Sequence, residues 1–234
     1  MKKGFSLPLW VAGAARSALN KLVGLPFKNY ELIKIPNEKK EIKIEIHSVG
    51  LLKDNSHALG ISFAKSGLDL DITQNLEIWA IASLEKIPFN NSVQKNPINI
   101  IAGSGVGIKE NTSAICISDF AKEVLYANLL DIIPSGFYLN LEIVFPNGEF
   151  LAERTSNQSF GIVDGLSIIG TSAETYSSAS SDQLEEAKNN LAKLIQNDFK
   201  GEVVFVIGEN GLNLLKTHNV NLPIIKIGNW IGPL

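Results

Sequence analysis

The feature that most constrains the fold is a segment in which charged residues alternate with isoleucine, Glu41-Ile42-Lys43-Ile44-Glu45-Ile46. A period of two predicts a β-strand with one apolar face and one solvated face, and the apolar face needs a covering layer. Further strands are predicted over residues 58–64, 76–83 and 98–102, because each run is bounded by Gly, Pro, Asn or Asp. We therefore expect an antiparallel or mixed sheet with helices laid on it.

Two helices are predicted as candidates for that covering layer. The apolar stretch 5–15 continues beyond Arg16 with helical spacing and meets a stop at Gly24, which favours a packed helix over a cleaved signal peptide. The second helix is predicted from residue 119 to about residue 132, because Ser118 is a suitable N-cap and apolar residues recur at helical spacing after it.

A hairpin is predicted after the second helix. The triplet Pro146-Asn147-Gly148 separates two apolar runs, 138–145 and 149–153. Asn and Gly tolerate positive φ angles, so this triplet is typical of a tight turn between two antiparallel strands.

The character of the sequence changes at a serine-rich stretch. Ser180 and Gln183 form a capping box for a predicted helix, which Gly201 closes as a left-handed cap. The run that follows, residues 203–207, is apolar on both faces, as in the centre of a parallel sheet. Residues 224–227 predict the next strand of that sheet.

The predicted fold class is α/β, in two parts. Residues 1–172 are expected to form an α+β domain with a mixed or antiparallel sheet. Residues 173–234 are expected to begin a Rossmann-like parallel α/β domain, which stops where another helix should start. An unfinished sheet edge of this kind favours self-association into a homo-oligomer.

Charge and composition argue against several classes of function. The chain has 21 basic and 24 acidic residues, a net charge of −3 and no long basic run, so nucleic-acid binding is not expected. The single cysteine, Cys116, excludes an internal disulfide, and the three histidines show no metal-ligand spacing. No stretch approaches the length of a membrane span, and we expect a cytoplasmic protein.

Two short segments contain residues that suit a ligand. In Gly103-Ser104-Gly105-Val106-Gly107, glycines at alternate positions allow backbone N–H groups to approach a nucleotide or a carboxylate, although a tight turn explains the pattern equally well. Asp69 and Asp71 lie on one side of an extended segment before Thr73. Paired acids of this kind bind a cation or a ribose diol, and the alternative is a polar turn with Asx capping.

The strongest local signal extends from Leu151 to Ser172. Arg154, Thr155 and Asn157 precede an apolar segment punctuated by glycines and followed by Thr171. Arginine binds both oxygens of a carboxylate through its planar guanidinium group, so this segment predicts an anion-binding wall.

This region resembles the cobalt-precorrin-5B C1-methyltransferase family, in which Leu-Ala-x-x-Thr-x-Asn leads to Gly-Ile-x-x-Gly-x-Ser-Ile-x-Gly-Thr. Further blocks agree in the same order along the chain, and they are Gly4-Phe5, Asp69-Leu70-Asp71-Ile72-Thr73, the glycine loop at 103–107 and Gly228-Asn229-Trp230-Ile231-Gly232. Agreement at several ordered blocks is more specific than any single block.

The sequence departs from the family pattern at three places. Ser6-Leu7-Pro8-Leu9 replaces a glycine-containing threonine stretch, so no ligand role is assigned there. Ser118-Asp119-Phe120-Ala121-Lys122 stands where an Asn-Pro-x-Pro-Arg segment is usual. The family also continues beyond the Gly-Asn-Trp-Ile-Gly block, so the chain is interpreted as truncated at its C-terminus.

The resemblance implies methyl transfer from S-adenosylmethionine to carbon 1 of cobalt-precorrin-5B, giving cobalt-precorrin-6A in anaerobic cobalamin biosynthesis. Cobalt would then arrive with the substrate. The residues assigned to the cosubstrate are Gly103, Gly105, Gly107, Asp69 and Asp71. Those assigned to the carboxylate-rich macrocycle are Arg154, Thr155, Asn157, Thr171 and Ser172. No catalytic side chain and no protein-bound metal are assigned.

Two alternatives remain open at this point. One is an inactive fragment that still binds tetrapyrrole or S-adenosylmethionine. The other is a nucleotide-dependent oxidoreductase, suggested by the glycine loop and the parallel-sheet end, although the acidic residue that a nicotinamide site needs is not found.

Overall fold

The computed structural model describes residues 3–52, 55–67, 71–87, 96–155, 157–176, 181–196, 199, 201–207, 211–212, 214–215, 218 and 221–227. The chain divides into two compact units, Lys3–Thr175 and a second one that contains Tyr176–Leu234. Within the described part of the chain, no helix is long and apolar enough to span a membrane.

The first unit combines short helices with many strands. Its helices are α1 (Leu7–Leu22), α2 (Asp119–Leu129) and α3 (Gly148–Ala152), with a 3-10 helix at Asn157–Phe160. Its strands are β1 (Lys3–Phe5), β2 (Tyr30–Lys34), β3 (Glu41–Glu45), β4 (Ser48–Leu52), β5 (His57–Phe63), β6 (Glu77–Lys86), β7 (Ile98–Ala102), β8 (Gly105–Val106), β9 (Ile108–Lys109), β10 (Phe137–Val144), β11 (Ile162–Val163), β12 (Gly165–Leu166) and β13 (Glu174–Tyr176).

A five-stranded mixed sheet forms the frame of this unit, in the order β4-β5-β6-β10-β7. Strand β10 pairs antiparallel with β6 and parallel with β7. Strands β2 and β3 form a separate antiparallel hairpin, in which Ile42 and Ile44 are buried while Glu41 and Lys43 are exposed. The alternation in the sequence therefore predicts the two faces of β3 correctly.

Helix α1 packs on the sheet against β5 and β6. Small residues let the two elements approach closely: a Cβ added to Gly60 would lie 2.2 Å from the carbonyl oxygen of Ala14. The hydroxyl of Ser62 donates a hydrogen bond to the Trp10 carbonyl at 2.9 Å. Because the β2–β3 hairpin and α2 also contact it, α1 is buried on nearly every side.

The sequence-based predictions hold for most elements of this unit. The strands near residues 58–64, 76–83 and 98–102 are present as β5, β6 and β7, and α1 and α2 are also present. The Ser118 hydroxyl accepts a hydrogen bond from the Ala121 amide, as an N-cap does. Gly24 ends α1 with a φ of +85°.

The predicted hairpin at Pro146-Asn147-Gly148 is wrong. The chain enters helix α3 instead of a strand over 149–153, and Asn147 has a φ of −106° rather than a positive one. The tertiary reason is that both edges of β10 are already occupied, by β6 on one side and β7 on the other. A returning strand would have no edge on which to pair.

The second unit contains helix α4 (Ser181–Gln196) and strands β14 (Val204–Val206) and β15 (Ile224–Lys226). The two strands pair in parallel, as predicted for this part of the sequence. Ala187 of α4 and Ile225 and Ile227 form the centre of a small apolar cluster. Gly201 has a φ of +92°, whereas Ser180, the first residue of the predicted capping box, and the block 228–232 lie outside the described residues.

Candidate functional site

A cavity of about 370 Å³ lies in the first unit, beside the N-terminal end of α1. Its wall includes five residues that the sequence singles out for ligand binding, Asp71, Thr155, Asn157, Thr171 and Ser172. These residues come from segments up to 101 positions apart in the chain, so the tertiary structure brings them together.

Residues 5–7 form part of the cavity wall, and the pairing of β1 with β13 holds them in place. Strand β1 pairs with β13, and the Ser6 amide donates a hydrogen bond to the Ala173 carbonyl at 3.0 Å. The Ser118 hydroxyl donates to the Gly170 carbonyl at 2.9 Å, which attaches the same segment to the start of α2. The N-terminal end of α1 therefore borders the cavity, and hydrogen bonds to β1 and to Ser118 hold the wall segment 170–173 in place.

Asp71 adopts an Asx turn at the cavity wall. Its Oδ1 accepts hydrogen bonds from the amide and the hydroxyl of Thr73, at 2.8 and 2.7 Å. Both residues line the cavity. The turn predicted as the alternative to a ligand site is therefore present, and it holds the Asp71 carboxylate in place beside the cavity. Its predicted partner Asp69 lies outside the described residues.

Thr155 and Asn157 are held by their own hydrogen bonds. The Thr155 hydroxyl donates to the Ala152 carbonyl at 2.7 Å and accepts from the Asn157 amide at 3.2 Å. The Asn157 side-chain amide donates to the Gly165 carbonyl at 3.0 Å. These bonds connect the segment after α3 to β12, so both residues shape the wall of the cavity.

The wall also includes an acidic residue that the sequence pattern does not indicate. Glu174 lines the cavity and forms a salt bridge with Lys40 at 2.6 Å. Thr171 and Ser172 precede it as exposed residues, and the Ser172 hydroxyl donates to the Glu174 carbonyl at 3.1 Å. Two carboxylates, those of Asp71 and Glu174, therefore border one cavity.

Two buried serines also line the cavity, and the sequence analysis assigned neither to a ligand. Ser6 is 5% exposed and Ser167 is 7% exposed. Neither hydroxyl has a hydrogen-bond partner among the residues that the structure describes. Buried polar groups are nearly always paired in folded proteins, so these two hydroxyls are candidates for hydrogen bonds to a polar ligand group.

The glycine loop lies elsewhere and does not line this cavity. A Cβ on Gly103 would lie 2.9 Å from the Ile143 carbonyl oxygen, and one on Gly107 would lie 2.9 Å from that of Gly165. Gly105 pairs with Gly165 in the short parallel ladder between β8 and β12. Close packing of backbone on backbone therefore explains these glycines, and their assignment to the cosubstrate stays a prediction.

Arg154 is exposed and is also absent from the cavity wall. Its guanidinium group makes no hydrogen bond or salt bridge with other described residues, while its amide donates to the Leu151 carbonyl. Arg154 lies one residue before Thr155, so it is available to a ligand that extends beyond the cavity mouth. Its predicted contact with a macrocycle carboxylate remains untested.

The arrangement can bind a small polar molecule with both cationic and anionic groups. Hydroxyl-bearing residues, the N-terminal end of α1 and two acidic residues line the same cavity. Such a cavity can orient a ligand and exclude water from it, without supplying a covalent nucleophile.

Comparison with known proteins shows a family relationship. The family model described as CbiD matches residues 1–177. The chain is 90% identical over 234 residues to a protein of Prochlorococcus marinus strain MIT 9215 named cobalt-precorrin-5B C(1)-methyltransferase, and 43% identical over 237 residues to the equally named protein of strain NATL2A. These matches cover 100% and 98% of the chain, but 63% and 62% of the relatives.

A solved structure shares the fold. The crystal structure of the cobalamin biosynthesis protein CbiD from Archaeoglobus fulgidus aligns with a TM-score of 0.58, at 17% sequence identity, over 97% of this chain and 76% of that one. The family model covers most of the chain and includes every described residue of the cavity wall. The chain therefore belongs to the CbiD family.

Proposed function

We propose that this chain takes part in the methylation of carbon 1 of cobalt-precorrin-5B, which gives cobalt-precorrin-6A in anaerobic cobalamin biosynthesis, with S-adenosylmethionine as the methyl donor. The observation that carries the proposal is the 90% identity, over the whole chain, to a relative named for this reaction. The chain spans about 63% of that relative's length. The proposal therefore concerns the binding and positioning steps to which residues 1–234 contribute.

The reaction places few chemical demands on the protein. An electron pair of the macrocycle attacks the sulfonium methyl group, a carbon–carbon bond forms and the methyl–sulfur bond breaks. S-adenosylhomocysteine leaves as a neutral thioether, and the methylated macrocycle balances the charge by releasing a proton to solvent. The protein must align the methyl group with the ring carbon and exclude water, which requires positioning and no covalent nucleophile.

The cavity beside α1 supports a site for the cosubstrate. Ligand sites in proteins range from about 300 to 1,000 Å³, and a cavity of about 370 Å³ is near the small end of that range. This volume suits a molecule of nucleotide size better than a whole tetrapyrrole. In this assignment Asp71 and Glu174 face the cationic or diol groups of S-adenosylmethionine, and the macrocycle lies across the cavity mouth.

Residues at the mouth support the macrocycle site. Thr171 and Ser172 are exposed at the cavity, and Arg154 is exposed beside Thr155. The acidic arms of the macrocycle need donors such as a guanidinium group and hydroxyls. Cobalt enters as part of this substrate, so the protein needs no metal ligands of its own for it.

The direct test is calorimetric titration of the purified chain with S-adenosylhomocysteine. We expect saturable one-to-one binding that Asp71→Asn weakens about tenfold, because a charge-assisted hydrogen bond is lost. Asp119→Asn is the matched control, since Asp119 lies outside the cavity and its side chain is 93% exposed. Gly105 is unsuitable for this test, because a side chain there would clash with protein backbone whether or not a ligand binds nearby.

Turnover decides between a catalytic and a binding role. Incubation with cobalt-precorrin-5B and labelled S-adenosylmethionine should yield a methylated corrinoid and S-adenosylhomocysteine. If the chain binds both ligands but transfers no methyl group, it is a binding module and the catalytic proposal is wrong. If it binds neither ligand while folded, both roles are wrong for these 234 residues.

A further inference from the structure

We infer that Ser6 and Ser167 form a carboxylate-binding subsite of the cavity at the N-terminal end of α1. This inference rests on the proposed function for the identity of its ligands. The carboxylate is either that of the amino-acid end of S-adenosylmethionine or an acidic arm of the macrocycle. Ser167 belongs to the block that resembles the family, and Ser6 opens a segment that departs from the family pattern, but the sequence assigns a ligand to neither. Both serines line one cavity only because their segments meet in the folded chain.

The first support is the pair of buried hydroxyls without partners. Ser6 and Ser167 are more than nine-tenths buried, both line the cavity, and neither Oγ bonds to another described residue. A buried hydroxyl without a partner costs folding free energy, so proteins retain one only where something else compensates for it. Two of them at one cavity indicate a ligand that accepts two hydrogen bonds, as a carboxylate does.

The second support is the geometry of the helix end. Ser6 is the N-cap residue of the 16-residue helix α1, yet its side chain makes no capping hydrogen bond. An N-cap serine normally accepts a hydrogen bond from an amide of the first turn. Here Pro8 has no N–H, and the Leu9 amide donates to the Ser6 carbonyl at 3.0 Å. The Ser6 hydroxyl is therefore left as a donor for a ligand.

The electrostatics of the helix end favour an anion. The first turn of α1 contains no acidic residue, so the partial positive charge of the helix N-terminus is not offset within the helix. The salt bridge of Glu174 with Lys40 reduces the negative charge of the neighbouring wall. A carboxylate beside the two serines would be attracted to the helix end and would accept both hydroxyl hydrogens.

The distribution of charge favours the amino-acid end of S-adenosylmethionine as the source. That group carries a carboxylate and an ammonium on the same carbon, so it needs donors and acceptors close together. The cavity has donors at Ser6 and Ser167 and acidic oxygens at Asp71 and Glu174. An acidic arm of the macrocycle carries a carboxylate but no ammonium group. Its negative charge would lie in the same cavity as Asp71 and Glu174 without a cation to offset them.

The experiment compares ligands that do and do not carry a carboxylate. We titrate the Ser6→Ala/Ser167→Ala double variant with S-adenosylhomocysteine and with methylthioadenosine, which lacks the amino-acid end. Ser159→Ala is the control, because Ser159 is exposed and lies outside the cavity. The same proteins are titrated with cobyrinic acid and with its fully methyl-esterified form. Urea unfolding of each free protein reports whether the substitutions affect stability without a ligand.

We expect the double variant to bind S-adenosylhomocysteine about tenfold more weakly than the wild type, because two hydrogen bonds to a charged group are lost. Its affinity for methylthioadenosine should equal that of the wild type, because this ligand has no carboxylate. Its unfolding midpoint should be unchanged or higher, since unpaired buried hydroxyls are removed. If only cobyrinic acid binds more weakly, the carboxylate subsite stands and its source is the macrocycle.

Other outcomes overturn the inference. If the double variant binds S-adenosylhomocysteine and cobyrinic acid as tightly as the wild type does, the subsite is wrong. It is also wrong if the free double variant is clearly less stable than the wild type, because the hydroxyls then have another partner within the protein. That result leaves the proposed function intact when methyl transfer continues. The converse outcome is a chain that transfers no methyl group while its binding of S-adenosylhomocysteine or cobyrinic acid depends on the two serines. That outcome would contradict the proposed function and support the subsite. A folded wild type that binds neither acid contradicts both.

Discussion

A Cβ atom on Gly105 would lie 2.0 Å from the carbonyl oxygen of Phe145. Gly105 also has a φ of +75°, a backbone conformation that L-residues rarely adopt. The same position lies 3.0 Å from the Gly148 backbone at the start of α3. Gly105 thus lets the residue after β10 and the start of α3 pack directly on the start of β8.

The first prediction concerns this contact. Gly105→Ala should lower the free energy of unfolding by about 3 kcal/mol or more, since backbone atoms must move. Gly24→Ala is the matched control, with a φ of +85° and open space around its Cβ position. It should cost only about 1–2 kcal/mol, the cost of the left-handed conformation. Urea denaturation measures both, and equal losses would show that the close contact is unimportant.

The second prediction concerns Asn128, which is fully buried in α2. Its side-chain amide donates to the carbonyls of Lys34 and Val124, at 2.9 and 2.7 Å, and its Oδ1 accepts from the Lys34 amide at 2.8 Å. Asn128→Ala should lower the unfolding free energy by about 2–3 kcal/mol, because backbone groups of Lys34 lose their partners.

The control for Asn128 is Asn99→Ala on the exposed face of β7. Asn99 donates to the Asn140 side chain at 2.9 Å, where water can replace it. Its loss should change the unfolding free energy by no more than about 0.5 kcal/mol. A comparable loss at the two positions would contradict the assigned connection between α2 and β2.

The third prediction separates the mouth of the cavity from its interior. Arg154→Gln should weaken binding of a carboxylate-rich corrinoid by about threefold to tenfold at low salt, with a smaller effect at high salt. Binding of S-adenosylhomocysteine should not change, because Arg154 does not line the cavity. Lys39→Gln, which removes one positive charge from another exposed site, controls for net charge. Loss of S-adenosylhomocysteine binding in Arg154→Gln would contradict this division.

The fourth prediction concerns the ionisation of Tyr138. A hydrogen bond to Glu85 raises the pKa of the Tyr138 hydroxyl above its ordinary value, with smaller contributions from burial and from the charge of Glu85. The stabilising contact is present below the tyrosine pKa of the unfolded chain, about 10, and is lost as the pH rises through the higher folded value.

Glu85→Gln should therefore lower the Tyr138 pKa toward its ordinary value. Ultraviolet absorbance titration measures this change when the Tyr138→Phe protein provides the reference for the other tyrosines. An unchanged titration curve in Glu85→Gln would mean that the hydrogen bond between the two side chains does not form in solution.

The local sequence pattern was sufficient to predict an element wherever the structure of a short segment depends only on its own residues. The alternation over residues 41–46 predicts the faces of β3, because side chains on a strand point to opposite sides whatever surrounds it. Ser118 predicts the start of α2 for a similar reason, since an N-cap bonds to an amide only three residues away. The same holds for Gly24 at the end of α1.

The tertiary structure decided features that depend on distant segments. Pro146-Asn147-Gly148 has the composition of a hairpin, yet strands from elsewhere occupy both edges of β10. The glycines at 103–107 suit a ligand equally well in sequence, yet protein backbone fills the space beside them.

The candidate site shows the same division. Residue chemistry drew attention to Asp71, Thr155 and Asn157, and the fold places them at one cavity. No local pattern assigns Ser6 or Ser167 to a ligand, because their hydroxyls are ordinary until folding buries them without partners. The sequence by itself determined the family, most elements and half of the polar residues that line the cavity. Only tertiary packing decided which of those groups are satisfied by the protein and which are left for a ligand.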